Sequence, residues 1–220
     1  MTHRLTLPDT ASIATSGEGG KLIAPSASRN LDPICDLLAE VAPASGRALE
    51  IASGTGQHVV AFAARFPDLH WQPTEPEAAR RASIDAYAAD SGCSNIAPAI
   101  DLDAAEPGWS ATHGGQDLVF LSNLLHLIPM DWAEVVVAEA AGALAPGGRL
   151  VIYGPFMRGG ELTSEGDERF HASLIAQDAR IGYKDDFDII DLMQDAGLEM
   201  RQVIEMPANN LALVAERPAI

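Results

Sequence analysis

Ala48-Leu49-Glu50-Ile51-Ala52-Ser53-Gly54-Thr55-Gly56-Gln57-His58 is the stretch whose reading decides the fold of this chain. Leu49 and Ile51 suit a short buried strand. Gly54 and Gly56 permit backbone angles and close approaches that a Cβ blocks, and Val59, Phe62, Ala63 and Phe66 carry the apolar spacing of a following helix. A strand that enters a helix through a glycine turn leaves main-chain N–H groups free, which makes a cradle for a nucleotide-like ligand. Two details refine this. Val59 stands where a dinucleotide fingerprint has its third glycine. Glu50 puts a carboxylate inside the strand end, where it needs a cationic or N–H-rich partner.

Outward from this stretch the chain alternates strands and helices. Residues 1–28 are rich in Ser, Thr, Ala and Gly and predict a flexible arm or lid, followed by a single domain over 29–220. A helix is expected from Asn30, with Ile34, Leu37, Leu38 and Val41 as its apolar stripe. After the central strand and helix come a strand at His70 to Thr74, a helix at Glu77 to Ser91 capped by Gly92, and a third strand at Ile96 to Leu102. Asp117 to Ser122 is a continuous apolar strand, as expected where helices cover both sheet faces. Asp131 with Glu134 forms a capping box for a helix through Leu144, ahead of a fifth strand at Arg149 to Pro155. Residues 157–184 are weakly helical, and a firmer helix runs from Asp185 to Ala196. Pro207-Ala208-Asn209-Asn210 is too short to be a parallel crossover, so Met200 to Met206 and Leu211 to Glu216 form an antiparallel hairpin. The fold expected is a three-layer α/β domain with a seven-stranded, mostly parallel sheet.

Composition excludes several classes. The 220 residues, 47% of them hydrophobic, suit one domain with a substantial core. A formal charge of −17 repels phosphate backbones and anionic membrane surfaces, so neither nucleic acid nor a membrane is expected as a partner. The richest apolar run, Val135 to Ala145, is broken by Glu139 and too short to cross a bilayer, and a cytoplasmic location is expected. Cys35 and Cys93, with no Cys/His ligand spacing, give no disulfide framework and no metal site.

With these motifs in place, the chain over residues 29–217 resembles the class I S-adenosylmethionine-dependent methyltransferases. Leu49 to Gly56 resembles their first motif, with Ala52 in place of the usual first glycine. Leu144-Ala145-Pro146-Gly147-Gly148-Arg149-Leu150 resembles the signature before their fifth strand. More narrowly, Ser28-Arg29-Asn30, Ile51 to His58, Trp71-Gln72-Pro73, Tyr153-Gly154-Pro155-Phe156 and Met206 to Leu211 are similar to the small methyltransferase-like 26 group. The resemblance implies a Rossmann-like methyltransferase fold, S-adenosylmethionine as cofactor with S-adenosylhomocysteine as product, and a small-molecule methyl acceptor. It also implies that Glu75 binds the ribose hydroxyls and that Asp103, or Asp101 in competition across Leu102, holds the adenine amino group.

The residues themselves suggest further roles. Glu50, Ala52, Ser53, Gly54, Thr55, Gly56 and Gln57 form the cofactor turn. Asn123 ends the fourth strand at the carboxyl edge, where open α/β sheets bind ligands. Arg29 offers a planar fork for a carboxylate, with Asn30 beside it. Methyl transfer needs a base only when the acceptor is protonated, and His126 and then Tyr153 are the candidates; both also line the acceptor side, with Met206 and Asn210. The absence of Asn-Pro-Pro-Tyr or Asp-Pro-Pro-Tyr after the fourth strand argues against amino-methylation of nucleic acid. The competing readings are a nicotinamide-dependent oxidoreductase and a non-catalytic cofactor-binding scaffold.

Overall fold

The computed structural model of the chain describes residues 14–219. A small hairpin comes first, β1 (Thr15–Ser16) and β2 (Leu22–Ile23). Then follow α1 (Pro25–Val41), β3 (Gly46–Ile51), α2 (Gln57–Arg65), β4 (Leu69–Pro73), α3 (Ala78–Ser91), α4 (Ser110–His113) and β5 (Gln116–Ser122). The second half holds α5 (Met130–Ala143), β6 (Leu144–Met157), α6 (Glu165–Gln177), β7 (Lys184–Asp185), α7 (Asp186–Asp195), β8 (Glu199–Met206) and β9 (Asn210–Glu216).

Seven strands form one sheet in the order β4-β3-β5-β6-β9-β8, with β7 beside the end of β6. The pairs β3–β4, β3–β5, β5–β6 and β6–β7 are parallel; β9 runs antiparallel to both β6 and β8. Alternation along β3 sends Leu49 and Ile51 to one face and Ala48 to the other. The first face is filled by α5 and α7 through Val136, Val137, Ala140, Ile189 and Met193. The second is filled by α1, α2 and α3 through Ile34, Leu38, Val59, Phe62 and Ile84. The chain leaves β3 for β4 on one side and later returns to β5 on the other. The carboxyl ends of β3 and β5 therefore flank the switch point, where an open α/β sheet has its crevice.

Five sequence expectations change here. Residues 96–102 do not form a full strand: only the single parallel bridges Trp71↔Ile96 and Thr74↔Ile100 form, and the seventh strand is Lys184–Asp185. The segment's Pro98 cannot donate to a ladder, which limits pairing there. Helix α1 starts at Pro25, ahead of Asn30, because proline fits the first helical turn and Gln57 Oε1 accepts the Ala24 N–H at 2.7 Å. Asp131 lies inside the first turn of α5, after Pro129, so no side-chain cap forms. The weakly helical region contains a full helix, α6, whose Ser164 N-cap accepts from the Asp167 N–H. Of the arm expected over 1–28, residues 1–13 lie outside the described residues, and 15–23 form the small hairpin.

Gly56 is a tight point of the fold beside the glycine turn. Its φ is 94°, and a Cβ there would sit 2.7 Å from the Ile84 Cα on α3. Both the backbone angle and the contact reject a side chain. Gly56→Ala is expected to lower stability by roughly 2–4 kcal/mol, the sum of left-handed strain and overpacking. Urea unfolding checks this, and a loss below about 1 kcal/mol would show that α2 and α3 separate easily.

Candidate functional site

The turn after β3 is built from hydrogen bonds to β4. Ser53 N–H donates to Thr74 O at 2.8 Å, and Thr74 N–H donates to Glu50 O at 2.9 Å. Thr74 Oγ1 and Ser53 Oγ both donate to Glu50 O as well, at 3.0 and 3.3 Å. Ala52 takes a left-handed φ of 53°, so the departure from glycine at this position costs on the order of 1 kcal/mol in backbone strain. Beyond it, Gly54 N–H donates to Glu75 Oε2 at 3.0 Å, and Glu77 N–H donates to Glu75 Oε1 at 3.2 Å. The acid that ends β4 thus holds the glycine turn directly.

Glu50 and Glu75 are both buried, and burial pushes both carboxyls above the usual range, Glu50 to about 8. Oε2 of Glu50 is buried without a hydrogen-bond partner among the described residues. Next to these acids, Arg81 joins two loops. Its Nη1 donates to the carbonyl oxygens of Glu75 and Pro76, each at 2.8 Å, and its Nη2 pairs with Asp101 at 3.2 Å. Asp101 is exposed, whereas Asp103 is half-buried and accepts the Ala105 N–H on Oδ1. Leu102 is buried between them.

The N-terminal segment is fastened to the same turn. Gln57 Oε1 accepts from Thr55 Oγ1 and from Ala24 N–H, and Gln57 Nε2 donates to Ser28 Oγ. Ser83 Oγ donates to Thr55 O and accepts from Leu22 N–H, each at 2.7 Å. Thr55 itself is buried. Arg29 is exposed on α1, while Asn30 on the next position turns inward to a polar node with His58, Asn123 and Tyr153. Burial raises the Tyr153 hydroxyl above its ordinary range, and a hydrogen bond with the Asn30 amide opposes that rise. Asn123 takes a left-handed φ of 54° and donates its N–H to Tyr153 O at 2.8 Å.

His126 belongs to a different group. It lies in a short 3-10 turn after β5, buried, with its ring edge-on to Phe170 and Tyr183. Burial, aided by the Lys184 charge, lowers its pKa to about 3, so the imidazole is neutral throughout the physiological range. Lys184 is buried too. Its ammonium donates to Ile128 O at 2.8 Å and Gly182 O at 3.0 Å, and burial lowers its pKa to about 8. Tyr183 donates to Asp167 Oδ1 at 3.0 Å, and Asp167 Oδ2 accepts from Thr163, Ser164 and Asn209. Burial pushes the Asp167 carboxyl up, but these donors together hold it below its usual range.

The two base candidates therefore stand in separate clusters. Tyr153 packs with the α1 and α2 layer, and His126 packs under α6. Met206 packs against the Tyr153 cluster, and Asn210 Nδ2 closes its own turn by donating to Pro207 O at 2.8 Å. Among the described residues, no group of His, Cys, Asp and Glu is arranged to hold a metal ion.

Comparison with known proteins matches residues 21–217 to a family model described as "Protein of unknown function (DUF938)". The chain belongs to this family. Its fold is shared with solved methyltransferases. An O-methyltransferase family protein from Burkholderia thailandensis superposes with a TM-score of 0.72 at 20% identity, over 88% of this chain and 58% of that one. An O-methyltransferase family 2 protein from Planctomyces limnophilus, in complex with apigenin, gives 0.71 at 17% identity, over 87% and 60%. CalO1, a methyltransferase in calicheamicin biosynthesis in its SAH-bound form, gives 0.68 at 16% identity, over 88% and 54%. The chain thus spans under two thirds of the length of these neighbours. The α/β fold with its reversed terminal hairpin is a Rossmann-like methyltransferase fold.

Sequence reading passed over the group formed by Phe170, Tyr183, Lys184 and Asp167 in this DUF938 chain. These residues lie in the weakly periodic region, and only the fold of α6 onto β7 brings them to His126. Ser83 was also missed, since its partners are main-chain atoms distant in sequence.

Glu50 gives the fold a distinctive pH dependence. Between its ordinary value of 4.5 and about 8, the folded chain holds a proton that the unfolded chain has released. Raising pH therefore favours unfolding, by at most about 1.4 kcal/mol per pH unit. His58 and His126, lowered to about 4 and about 3, act in the opposite sense, but only below the ordinary histidine value of 6.5. Stability should accordingly fall by up to roughly 2 kcal/mol between pH 6.5 and 8. Glu50→Gln should flatten that slope in urea melts, leaving the smaller contribution of Glu75; an unchanged slope would show that Glu50 is ionised in the fold.

Proposed function

We propose that this chain is an S-adenosylmethionine-dependent methyltransferase acting on a small molecule. The observation that carries the reading is the Glu75 carboxylate, placed at the end of β4 and oriented by the Gly54 N–H of the glycine turn. Each Glu75 oxygen accepts one main-chain N–H, which leaves each a lone pair for one hydroxyl of a ribose diol. The unpartnered Oε2 of Glu50 fits a ligand across the turn. Buried Val59 replaces the third glycine of a dinucleotide site, which favours this cofactor over a nicotinamide one.

On this reading Asp103 holds the adenine amino group, and the turn from Ala52 to Gln57 lines the ribose and methionine portions. Arg29 serves the methionine end, and Asn30 beside it orders the neighbouring side chains. Bound S-adenosylmethionine supplies a methyl group on a positively charged sulfur, which leaves as a neutral thioether. An acceptor aligned with that methyl group would take it through its lone pair, the pair of the broken carbon–sulfur bond staying on sulfur. The chain's own contribution is alignment, which can carry most of the acceleration.

His126 takes the acceptor's proton and passes it to solvent. Its neutral ring is secured by burial, but a pKa lowered to about 3 makes it a weak base, so its share lies near the lower end of the usual 10²–10⁴-fold. Of the arm expected over residues 1–28, the described part, 14–28, acts as a lid held by Gln57 and Ser83, whose hydrogen bonds reach from the glycine turn to Ala24 and Leu22. The five short motifs from Ser28 to Leu211 support a placing within the methyltransferase-like 26 group. The charge of −17 argues for a small-molecule partner over nucleic acid.

A screen of metabolite fractions for S-adenosylhomocysteine formation tests the activity. With an acceptor in hand, His126→Gln should lower turnover by about 10²-fold and leave cofactor affinity unchanged. Glu75→Ala should weaken cofactor binding by about 1.5–3 kcal/mol, the scale of charge-assisted hydrogen bonds. Equal affinity in wild type and Glu75→Ala would remove the ribose assignment.

A further inference from the structure

The side chains of Asn30 on α1, His58 on α2, Tyr153 on β6 and Asn123 just after β5 meet beside the glycine turn. The orientation of the Asn30 amide is set by its surroundings. The carbonyl oxygens of Ser26 and Ala27 lie 2.8 and 3.0 Å from one end of the amide, and the Asn123 Nδ2 lies 2.9 Å from the other. Nδ2 of Asn30 therefore faces the carbonyls, and its Oδ1 accepts from Asn123. The same Nδ2 lies 2.9 Å from His58 Nε2, so that ring nitrogen is an acceptor and the neutral imidazole carries its proton on Nδ1. His58 is buried, which favours the neutral ring.

The consequence reaches Asn123. With its Nδ2 committed to Asn30, its Oδ1 has no hydrogen-bond partner among the described residues. That oxygen sits at the carboxyl end of β5, on a residue held at φ 54°, a conformation that a short polar side chain tolerates. The neighbouring residue on β6 is Gly154. A Cβ there would come within 3.9 Å of the Asn123 Oδ1, so the glycine leaves space beside the oxygen.

We propose that His58 is a positioning residue that, through Asn30, presents the Asn123 Oδ1 as a hydrogen-bond acceptor at the reaction centre. The methyl acceptor then carries an O–H or N–H on its attacking atom. This rests on the methyltransferase reading above. It assigns the acceptor to the hydroxyl and amine class, since a carboxylate or a thiolate would meet the Asn123 oxygen with a lone pair and be repelled. The acceptor's O–H or N–H is held at Asn123 while a lone pair of the same atom is aimed at the methyl carbon. The amide oxygen orients the group without taking the proton, which the methylated product then loses to His126.

Two ligands test this without a known acceptor: S-adenosylhomocysteine, and sinefungin, which carries an amine where the cofactor carries its methylated sulfur. Wild type should prefer sinefungin by about tenfold or more, the scale of one charge-assisted hydrogen bond. Asn123→Ala and His58→Leu should each erase most of that preference, with less than about a threefold change for S-adenosylhomocysteine. Asn123→Asp should keep the preference, and His58→Gln should restore part of it, because its amide oxygen can accept from Asn30. Nitrogen-15 NMR of folded wild type should show His58 with its proton on Nδ1. A sinefungin preference that survives Asn123→Ala, or an Nε2–H tautomer at His58, would overturn the relay. Binding of neither ligand would instead overturn the methyltransferase reading beneath it.

Discussion

Main-chain contact between two helices fixes this site: α3 lies so close to the glycine turn that Gly56 has no room for a side chain against Ile84. That closeness brings Ser83 under Thr55 and Arg81 beside Glu75, so the turn, the acid that ends β4 and the N-terminal segment are held as one unit. A side chain at Gly56 would not only strain the turn. It would push α3 outward and separate the groups that the site needs together.

Burial holds three ionisable groups neutral near pH 7, Glu50, His58 and His126, and in each it is the largest cause of the shift. This suits the proposed reaction, in which the positive charge on sulfur is lost as the methyl group moves. Fixed protein dipoles, such as the amides of Asn30 and Asn123, then do the orienting without strong charges that favour one end of the reaction over the other.

The sheet order and the glycine turn are readable in the sequence because both rest on local signals: apolar runs for buried strands, glycines at a strand-to-helix junction, a connection too short for a crossover. Asn123 is legible for the same reason, as a polar residue at a strand end, and Glu75 through the resemblance to the methyltransferases. The segment at 96–102 looks like a strand because it is apolar, but its pairing depends on an edge that Pro98 interrupts. Asp131 looks like a cap because its spacing to Glu134 fits, yet Pro129 starts the helix earlier. The cluster around His126 has no local signal at all. Phe170, Tyr183 and Lys184 are drawn together only by how α6 folds over β7, and the buried charge of Lys184 is satisfied by carbonyls that no pattern reveals.

On the proposed reading, the glycine turn and Glu75 together form a site for an adenosyl cofactor of the methyl cycle. Isothermal titration of the full chain with S-adenosylhomocysteine and, separately, with NADH tests this most directly. Saturable binding of S-adenosylhomocysteine at one site per chain is expected, with no heat of binding from NADH. Tight binding of NADH with none of S-adenosylhomocysteine would contradict it.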